Sequence, residues 1–367
     1  MKEINFLVQN LEGGGAERVI VNILNHLDEN KFKSTLFLIE NKGSYLKNLN
    51  KKIKIKTFNN FFKNRRLDFI LNLFKIFYIL NKKKEAIIFS QYHPGKILGL
   101  IAPIFFKNRK IIYRETNIPQ EINNVNESSI KILDRLFYKY GIKNFNKIIV
   151  QSLDMKKMLL SIDNSLERKI ILINNPVDVK FIEEEIKDKK IIRDNKKLNL
   201  ITIGRLSSQK GYDLLINTLG KIENKNFVLR ILGIGKEEDK LKKIVKENKL
   251  QEQVFFLGFK SNPYKYLVNS DFYISSSRFE GFPNAVLEAN TCGVPVIANN
   301  YKGGINEIIL KNINGEIIDI TDNIQLEKAL QKKYNSKEIK KSVKDRYSIE
   351  IIIYKYEKLF EEMSDKK

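Results

Sequence analysis

Phe272-Tyr-Ile-Ser-Ser-Ser-Arg-Phe-Glu-Gly-Phe-Pro-Asn-Ala-Val-Leu-Glu288 reads as a buried strand, a broken loop and the start of a helix. Gly281 and Pro283 interrupt the backbone, and a helix is expected from about Asn284. Glu280 then lies in the loop and Glu288 one turn inside the helix, so both carboxylates can face one crevice. In an open α/β sheet, ligands bind outside the carboxyl ends of the strands. Unpaired N–H groups at a helix start attract anions there. A Glu beside such a site can accept hydrogen bonds from sugar hydroxyls. The same spacing equally suits a solvated loop Glu followed by an exposed helical one.

Two further segments repeat the pattern of strand, loop and helix. Leu198-Asn-Leu-Ile-Thr-Ile-Gly-Arg-Leu-Ser-Ser-Gln-Lys-Gly211 gives an apolar strand, then Arg205 at its end, then Lys210 before an amphipathic helix from Tyr212 to Ile222. Cations converging there can neutralise a diphosphate, Arg as a bidentate fork and Lys as a point charge. Either residue alone also reads as one surface cation among 66 Lys and Arg. Near the start, Ile4-Asn-Phe-Leu-Val-Gln-Asn-Leu-Glu-Gly-Gly-Gly-Ala-Glu-Arg18 places three glycines between a strand and a helix running from Ala16 to about Leu27. Glycines let a backbone approach a phosphate closely. Their spacing is neither a dinucleotide fingerprint nor a P-loop, and a tight turn without any ligand would use them equally.

A chain of 367 residues exceeds what one hydrophobic core sustains, so two domains are expected. Ile- and Phe-rich strands alternate with helical patterns at Ile4 to Val8, Thr35 to Ile39, Ile53 to Phe58, Ala86 to Phe89, Lys110 to Tyr113, Lys147 to Val150 and Ile170 to Ile173. After a break they resume at Leu198 to Ile203, Phe227 to Leu232, Val254 to Leu257, Phe272 to Ser275 and Val294 to Ala298. Such alternation means parallel sheets with crossover helices. The expected architecture is α/β, with two Rossmann-like doubly wound sheets. Asn174-Asn-Pro-Val-Asp178 and the charged tract from Glu183 to Lys197 read as a linker plus an exposed helix. Ile349, Ile352, Ile353, Tyr356, Leu359 and Phe360 mark one face of a C-terminal helix, and that stripe needs an apolar partner.

The formal net charge of +23 raises a nucleic-acid binder as a competing class. The cations are scattered and carry no zinc-finger or RNA-reading signature, so no nucleic-acid partner is expected. Anionic lipid fits better. The stretch from Phe61 to Lys84 has cations at both ends and apolar groups nearly all round its helix, which suits a membrane interface. A buried helix packed on the sheet, or one with a single face inward, fits as well. The longest apolar run, Ile97 to Phe106, is shorter than the roughly 18 residues of a membrane span. The chain opens on a strand without a secretory apolar region, and the single Cys292, placed in the core, excludes an internal disulfide, so a cytoplasmic location is expected. No clustered ligands or Asp-x-Asp triplet offers a metal site, and none is expected to be needed.

Taken together, Gly-Gly-Ala-Glu-Arg18, Gly204-Arg-Leu with Gln209-Lys-Gly, and Phe279-Glu-Gly-Phe-Pro-Asn with the second Glu resemble the retaining, nucleotide-sugar-dependent glycosyltransferases of family 4, which have the GT-B fold. Ile173-Asn-Asn-Pro-Val-Asp178, Leu257-Gly-Phe259 and Asn290-Thr-Cys-Gly-Val-Pro-Val-Ile297 are similar pieces. The resemblance implies an acceptor-binding domain over 1–175, a donor-binding domain over 176–347 and a helix at 348–363 crossing back to the first. Their sheets would face a central cleft. It implies that Arg205 and Lys210 hold a diphosphate, that Glu280 contacts the donor sugar and that Glu288 binds the ribose. Gly281, Phe282, Pro283 and Asn284 would position that sugar, Phe259 and Lys260 would read the base, and Gly14 and Gly15 would lie against the donor phosphates. The implied reaction moves a hexose or N-acetylhexosamine from a UDP-sugar, with retention, to a lipid-linked or polysaccharide-precursor acceptor. It would take place at the inner face of the cell membrane and need no metal or other cofactor.

One departure stands out. Many relatives carry a His near the end of a later N-terminal strand, where this chain reads Lys110-Ile-Ile-Tyr-Arg-Glu-Thr-Asn-Ile-Pro119. Glu115 takes that place and could orient an acceptor hydroxyl. His93, at another strand end, is divided between acceptor contact and packing, and His26, in the last turn of the first helix, reads as structural. Two other functions stay open: a GT-B enzyme of different chemistry, such as an epimerase or phosphorylase, and a non-enzymatic basic protein.

Overall fold

The computed structural model describes residues 1–12, 14–58, 65–82, 85–118, 128–187 and 193–365. Gly13, Phe61 to Asn64, Lys83, Lys84, Pro119 and the centre of the charged tract after Glu183 lie outside these residues. The chain forms two compact units, Met1–Pro176 with Ile349–Lys367, and Val177–Ser348.

The first unit runs β1 (Lys2–Val8), α1 (Gly15–His26), β2 (Phe32–Leu38), β3 (Lys54–Lys56), α2 (Arg65–Lys82), β4 (Ile87–Gln91), α3 (Tyr92–Phe105), β5 (Ile111–Arg114), α4 (Ser128–Leu136), β6 (Lys147–Val150), α5 (Leu153–Ile162) and β7 (Ile170–Leu172). The second runs α6 (Val179–Glu185), β8 (Leu198–Ile203), α7 (Tyr212–Lys221), β9 (Phe227–Leu232), α8 (Glu238–Glu247), β10 (Val254–Gly258), α9 (Tyr264–Leu267), β11 (Phe272–Ser275), α10 (Asn284–Thr291), β12 (Val296–Asn299), α11 (Ile305–Ile308), β13 (Gly315–Ile318), α12 (Asn323–Leu330) and α13 (Ser336–Tyr347). The last helix, α14 (Ile349–Asp365), belongs to the first unit.

Both sheets are parallel throughout, as the uninterrupted apolar strands require when helices cover both faces. The order is β3-β2-β1-β4-β5-β6-β7 in the first unit and β10-β9-β8-β11-β12-β13 in the second. Each sheet therefore reverses direction once, between β1 and β4 and between β8 and β11, and each reversal opens a crevice at the carboxyl ends of those strands.

The core of the first unit explains α14. Ile4, Phe6 and Val8 of β1, Phe89 of β4 and the buried stripe of α1 share one cluster with Ile352, Ile353, Tyr356, Leu359 and Phe360. The Phe360 ring sits edge-on to Phe6, Phe32 and Phe89, with centroids 6.3, 6.0 and 6.2 Å away.

The strand bounds differ from the sequence reading where tertiary hydrogen bonds decide. β2 starts at Phe32 because that residue pairs with Lys2, and β3 shrinks to three residues at the sheet edge. β12 begins at Val296, two residues late, because Pro295 has no N–H and the Val294 N–H instead closes the end of α10 on Ala289 O at 3.0 Å. β13 carried too short an apolar run to be read, and it exists by pairing with β12.

Candidate functional site

β8 and β11 flank the reversal of the second sheet, and the loops that follow them are stitched together. After β8, Ser208–Lys210 form one tight turn, and Gly211 enters α7 in the left-handed region at φ 61°. A Cβ at Gly211 would lie 2.1 Å from Ser276 O, so glycine is what lets the two loops meet. Ser276 Oγ donates to Lys210 O at 2.9 Å, Arg278 N to Gln209 O at 2.8 Å, and Gln209 Nε2 to Phe279 O at 3.1 Å. The Arg278 guanidinium forks onto Asp213 at 2.9 and 2.7 Å and also reaches Ser208 O at 2.6 Å.

This stitching delivers Lys210 to Glu280. The ammonium sits 2.5 Å from Glu280 Oε1, which also accepts from Ser277 Oγ at 2.8 Å. Lys210 and Glu280 are 21% and 12% exposed, so the pair is shielded yet reachable. The sequence assigned these residues separate tasks, and the structure joins them. Arg205 stands at the end of β8, exposed, and among the described residues it has no hydrogen-bond or ion-pair partner.

Behind the pair lie three buried phenols. Burial pushes Tyr212, Tyr273 and Tyr301 all above the usual tyrosine range. The charge of Glu280 pushes each of them further, and Tyr273 also feels Glu288. Both glutamates therefore lie within Coulombic reach of Tyr273 in β11. Glu288 is buried in α10, one turn before Cys292, whose thiol is raised by burial first and then by Glu288. α10 begins at Asn284 with Pro283 at its cap and no side-chain cap hydrogen bond, and Val286 N donates to Pro283 O at 3.0 Å. The Phe282 ring packs inward, 5.5 Å from Tyr347, and fixes the loop that carries Gly281.

The loop after β12 braces Glu280 from below. Glu280 N donates to Lys302 O at 3.3 Å and Gly304 N to Gly281 O at 3.1 Å. Gly303 sits at φ 127°, where a Cβ would lie 1.8 Å from Glu280 O. Replacing Gly303 with Ala is expected to cost about 2 kcal/mol or more in stability and to displace Glu280. A variant with unchanged thermal denaturation and unchanged transfer rate would refute that reading.

Phe259 and Lys260 follow β10, two strands from β8. Phe259 is exposed, and Lys260 Nζ stands 6.0 Å from the Tyr266 ring. Gly233 N donates to Gly258 O at 2.9 Å and Leu206 N to Ile234 O at 3.0 Å, so the loops after β8, β9 and β10 form one rim.

In the first unit, Gly14, His93 and Glu115 follow β1, β4 and β5. Gly14 caps α1, with Gly15 as its first residue. His93 lies in the first turn of α3, its pKa lowered by burial and then by Lys96. Lys96 is itself paired with Asp134 at 2.5 Å in the interior. Glu115 is buried, and its carboxylate closes its own turn by accepting from Thr116 N at 2.9 Å, Asn117 N at 3.3 Å and Tyr138 OH at 2.7 Å. Gln151 Nε2 donates to its carbonyl. Glu115 therefore organises the end of β5, and its oxygens are occupied internally.

Sequence reasoning missed Ser277, the Arg278–Asp213 fork and the three phenols. The Ser-Ser-Ser-Arg run before Glu280 was the available signal for the first two. Among the described residues no cluster of three His, Cys, Asp or Glu could hold a metal ion.

An uncharacterized glycosyltransferase of Methanocaldococcus jannaschii is 31% identical to this chain over 280 residues, 72% of this chain and 68% of its own. The chain belongs to the glycosyltransferases. Residues 13–181 match the model described as glycosyltransferase family 4, and 183–347 the one described as glycosyl transferases group 1. A Campylobacter jejuni relative, N-acetylgalactosamine-N,N'-diacetylbacillosaminyl-diphospho-undecaprenol 4-alpha-N-acetylgalactosaminyltransferase, is 25% identical over 358 residues, 94% of each chain. The poly(ribitol-phosphate) alpha-N-acetylglucosaminyltransferase of Staphylococcus aureus is 29% identical over 234 residues, 60% of this chain and 46% of its own. Among solved structures, Anabaena HepE in complex with UDP superposes with a TM-score of 0.78 at 18% identity, covering 99% of this chain and 100% of its own. The fold of this glycosyltransferase is GT-B.

Proposed function

We propose that this glycosyltransferase moves a hexose or N-acetylhexosamine from a UDP-sugar to a lipid-linked or polysaccharide-precursor acceptor, with retention, at the cytoplasmic face of the cell membrane. The observation that carries this reading is the shielded Lys210–Glu280 pair at the carboxyl ends of β8 and β11, with Arg205 exposed just after Gly204, where a Cβ would lie 2.7 Å from Lys210 Cε. Arg205 and Lys210 neutralise the departing diphosphate, and Glu280 contacts the sugar as Lys210 turns to phosphate. A diphosphate oxygen then takes the acceptor proton on the face it leaves, so the new bond forms where the old one broke. Glu288 and the rim at Phe259 and Lys260 hold the nucleoside. The two relatives named for N-acetylhexosamine transfer, one to an undecaprenyl-diphosphate acceptor, support this donor and acceptor class.

The test is incubation with UDP-N-acetylgalactosamine, UDP-N-acetylglucosamine and UDP-glucose, with undecaprenyl-diphosphate-linked saccharides as acceptors and EDTA present. An α-linked product is expected at an undiminished rate. A β-linked product would overturn retention, dependence on added Mg²⁺ would overturn the metal-free reading, and turnover without an acceptor would point to an epimerase.

A further inference from the structure

The helices α2, α3 and α4 lie on the side of the first sheet opposite α1 and α14. Ile112 of β5 joins the α1 and α14 core, whereas its neighbour Tyr113 packs against Phe137 at the end of α4 and against Gly95 of α3. Phe77 of α2 sits edge-on to Phe106 at the end of α3, with centroids 5.4 Å apart, and Arg109 Nη2 donates to Leu80 O at 2.8 Å.

α2 is thereby resolved. Leu73, Ile76, Phe77 and Leu80 are buried, and the opposite stripe is left outside. That stripe is Ile70, Phe74 and Tyr78, at four-residue spacing, with Phe74 60% and Tyr78 65% exposed. α4 and the turn after it repeat the arrangement with Ile132, Leu136 and Tyr140, of which Ile132 is 63% exposed. Between them the end of α3 holds out Ile104, 76% exposed. Exposed apolar groups in this number and on one side mark an interaction surface.

Charge selects the partner. On the described side chains of α2, α3 and α4 the acidic groups are Asp68 and Asp134, both buried. The cations here reach outward: Lys82 lies 4.4 Å from the Tyr78 ring and Lys139 4.9 Å from that of Tyr140. α14, on the other side of the sheet, instead carries Glu350, Glu357, Glu361, Glu362 and Asp365. Two apolar stripes ending in tyrosines and edged by uncompensated cations match the interface of an anionic bilayer, where apolar groups enter the acyl boundary and Lys meets headgroups.

We infer that the outer faces of α2, α3 and α4 form one surface that docks on anionic membrane, with Phe74 and Ile132 as its apolar anchors and Lys82 and Lys139 as headgroup contacts. The inference rests on the proposed function only for the lipid-linked acceptor. The surface itself is independent of the donor site.

Co-sedimentation with vesicles tests it. The protein is expected to bind phosphatidylglycerol–phosphatidylcholine vesicles, to release them as salt is raised, and to ignore pure phosphatidylcholine. The pair Phe74→Glu with Ile132→Glu should weaken binding about tenfold or more, whereas Tyr354→Glu, on α14, should leave it unchanged. Matching circular dichroism and thermal denaturation exclude misfolding, and an unchanged thermal shift with UDP keeps this test separate from the donor reading. No binding of wild type to anionic vesicles, or equal binding by the double variant, overturns the inference. So does a double variant that only converts a dimer to a monomer, which would make the surface a contact between two copies.

Discussion

Lys210→Ala is expected to lower the transfer rate by about 10²- to 10³-fold, the scale for losing one preorganised electrostatic donor in a shielded site. Two effects combine in this number. The diphosphate loses one of its two cations, and Glu280, 12% exposed, keeps only the Ser277 hydroxyl. Arg205→Ala should cost a comparable factor with less effect on stability, because that guanidinium is exposed and makes no ion pair among the described residues. The comparison is informative because the two cations differ in attachment. Lys210→Ala is expected to shift both thermal denaturation and the rate, and Arg205→Ala the rate alone. Steady-state kinetics beside thermal melts checks both. Near-wild-type transfer by either variant would remove the cationic grip on the leaving group, and with it the proposed mechanism.

Phe360→Ala is expected to destabilise the protein by about 3 to 5 kcal/mol, the range for emptying a fully buried aromatic site. Its ring is wholly buried and touches Phe6, Phe32 and Phe89, which stand on three adjacent strands or strand starts of the first sheet. The cavity would open under α14 and beside β1, one of the two strands between which that sheet reverses. Urea denaturation measures the loss. A change under about 1 kcal/mol would mean that α14 is dispensable to the first core.

Much of the fold could be read because its signals are local. The apolar strands of both units, the turn glycines and the 3.6-residue stripe of α14 all depend on spacing within a dozen residues. The loop carrying Glu280 and the helix carrying Glu288 were legible for the same reason: Gly281 and Pro283 stop the strand, and Asn284 starts the helix where the pattern places it. The edges of elements were less legible. β3, at the sheet edge, pairs only with Thr35 to Phe37 of β2, and β13 exists by pairing with Val296 to Asn299. Nothing local encodes a partner 19 residues away.

Residue identity also left the internal partners of Glu115 unread. A carboxylate at a strand end reads as a group facing a ligand, yet Tyr138, 23 residues on, returns to occupy it. The segment around α2 left burial and membrane contact both open. The structure divides the question by face, since Phe77 meets Phe106 while Phe74 stays in solvent.

The sequence by itself determined that this chain folds as two parallel α/β units with a strand, loop and helix at each reversal, because hydrophobic period and backbone breakers act over short range. Only the tertiary structure decided that Lys210 meets Glu280 across 70 residues, that Arg205 stays exposed after β8, and that Glu115 accepts from Tyr138. Those outcomes follow from which strands become neighbours. A charge finds its partner through the register of the sheet, and that register is fixed by the whole core.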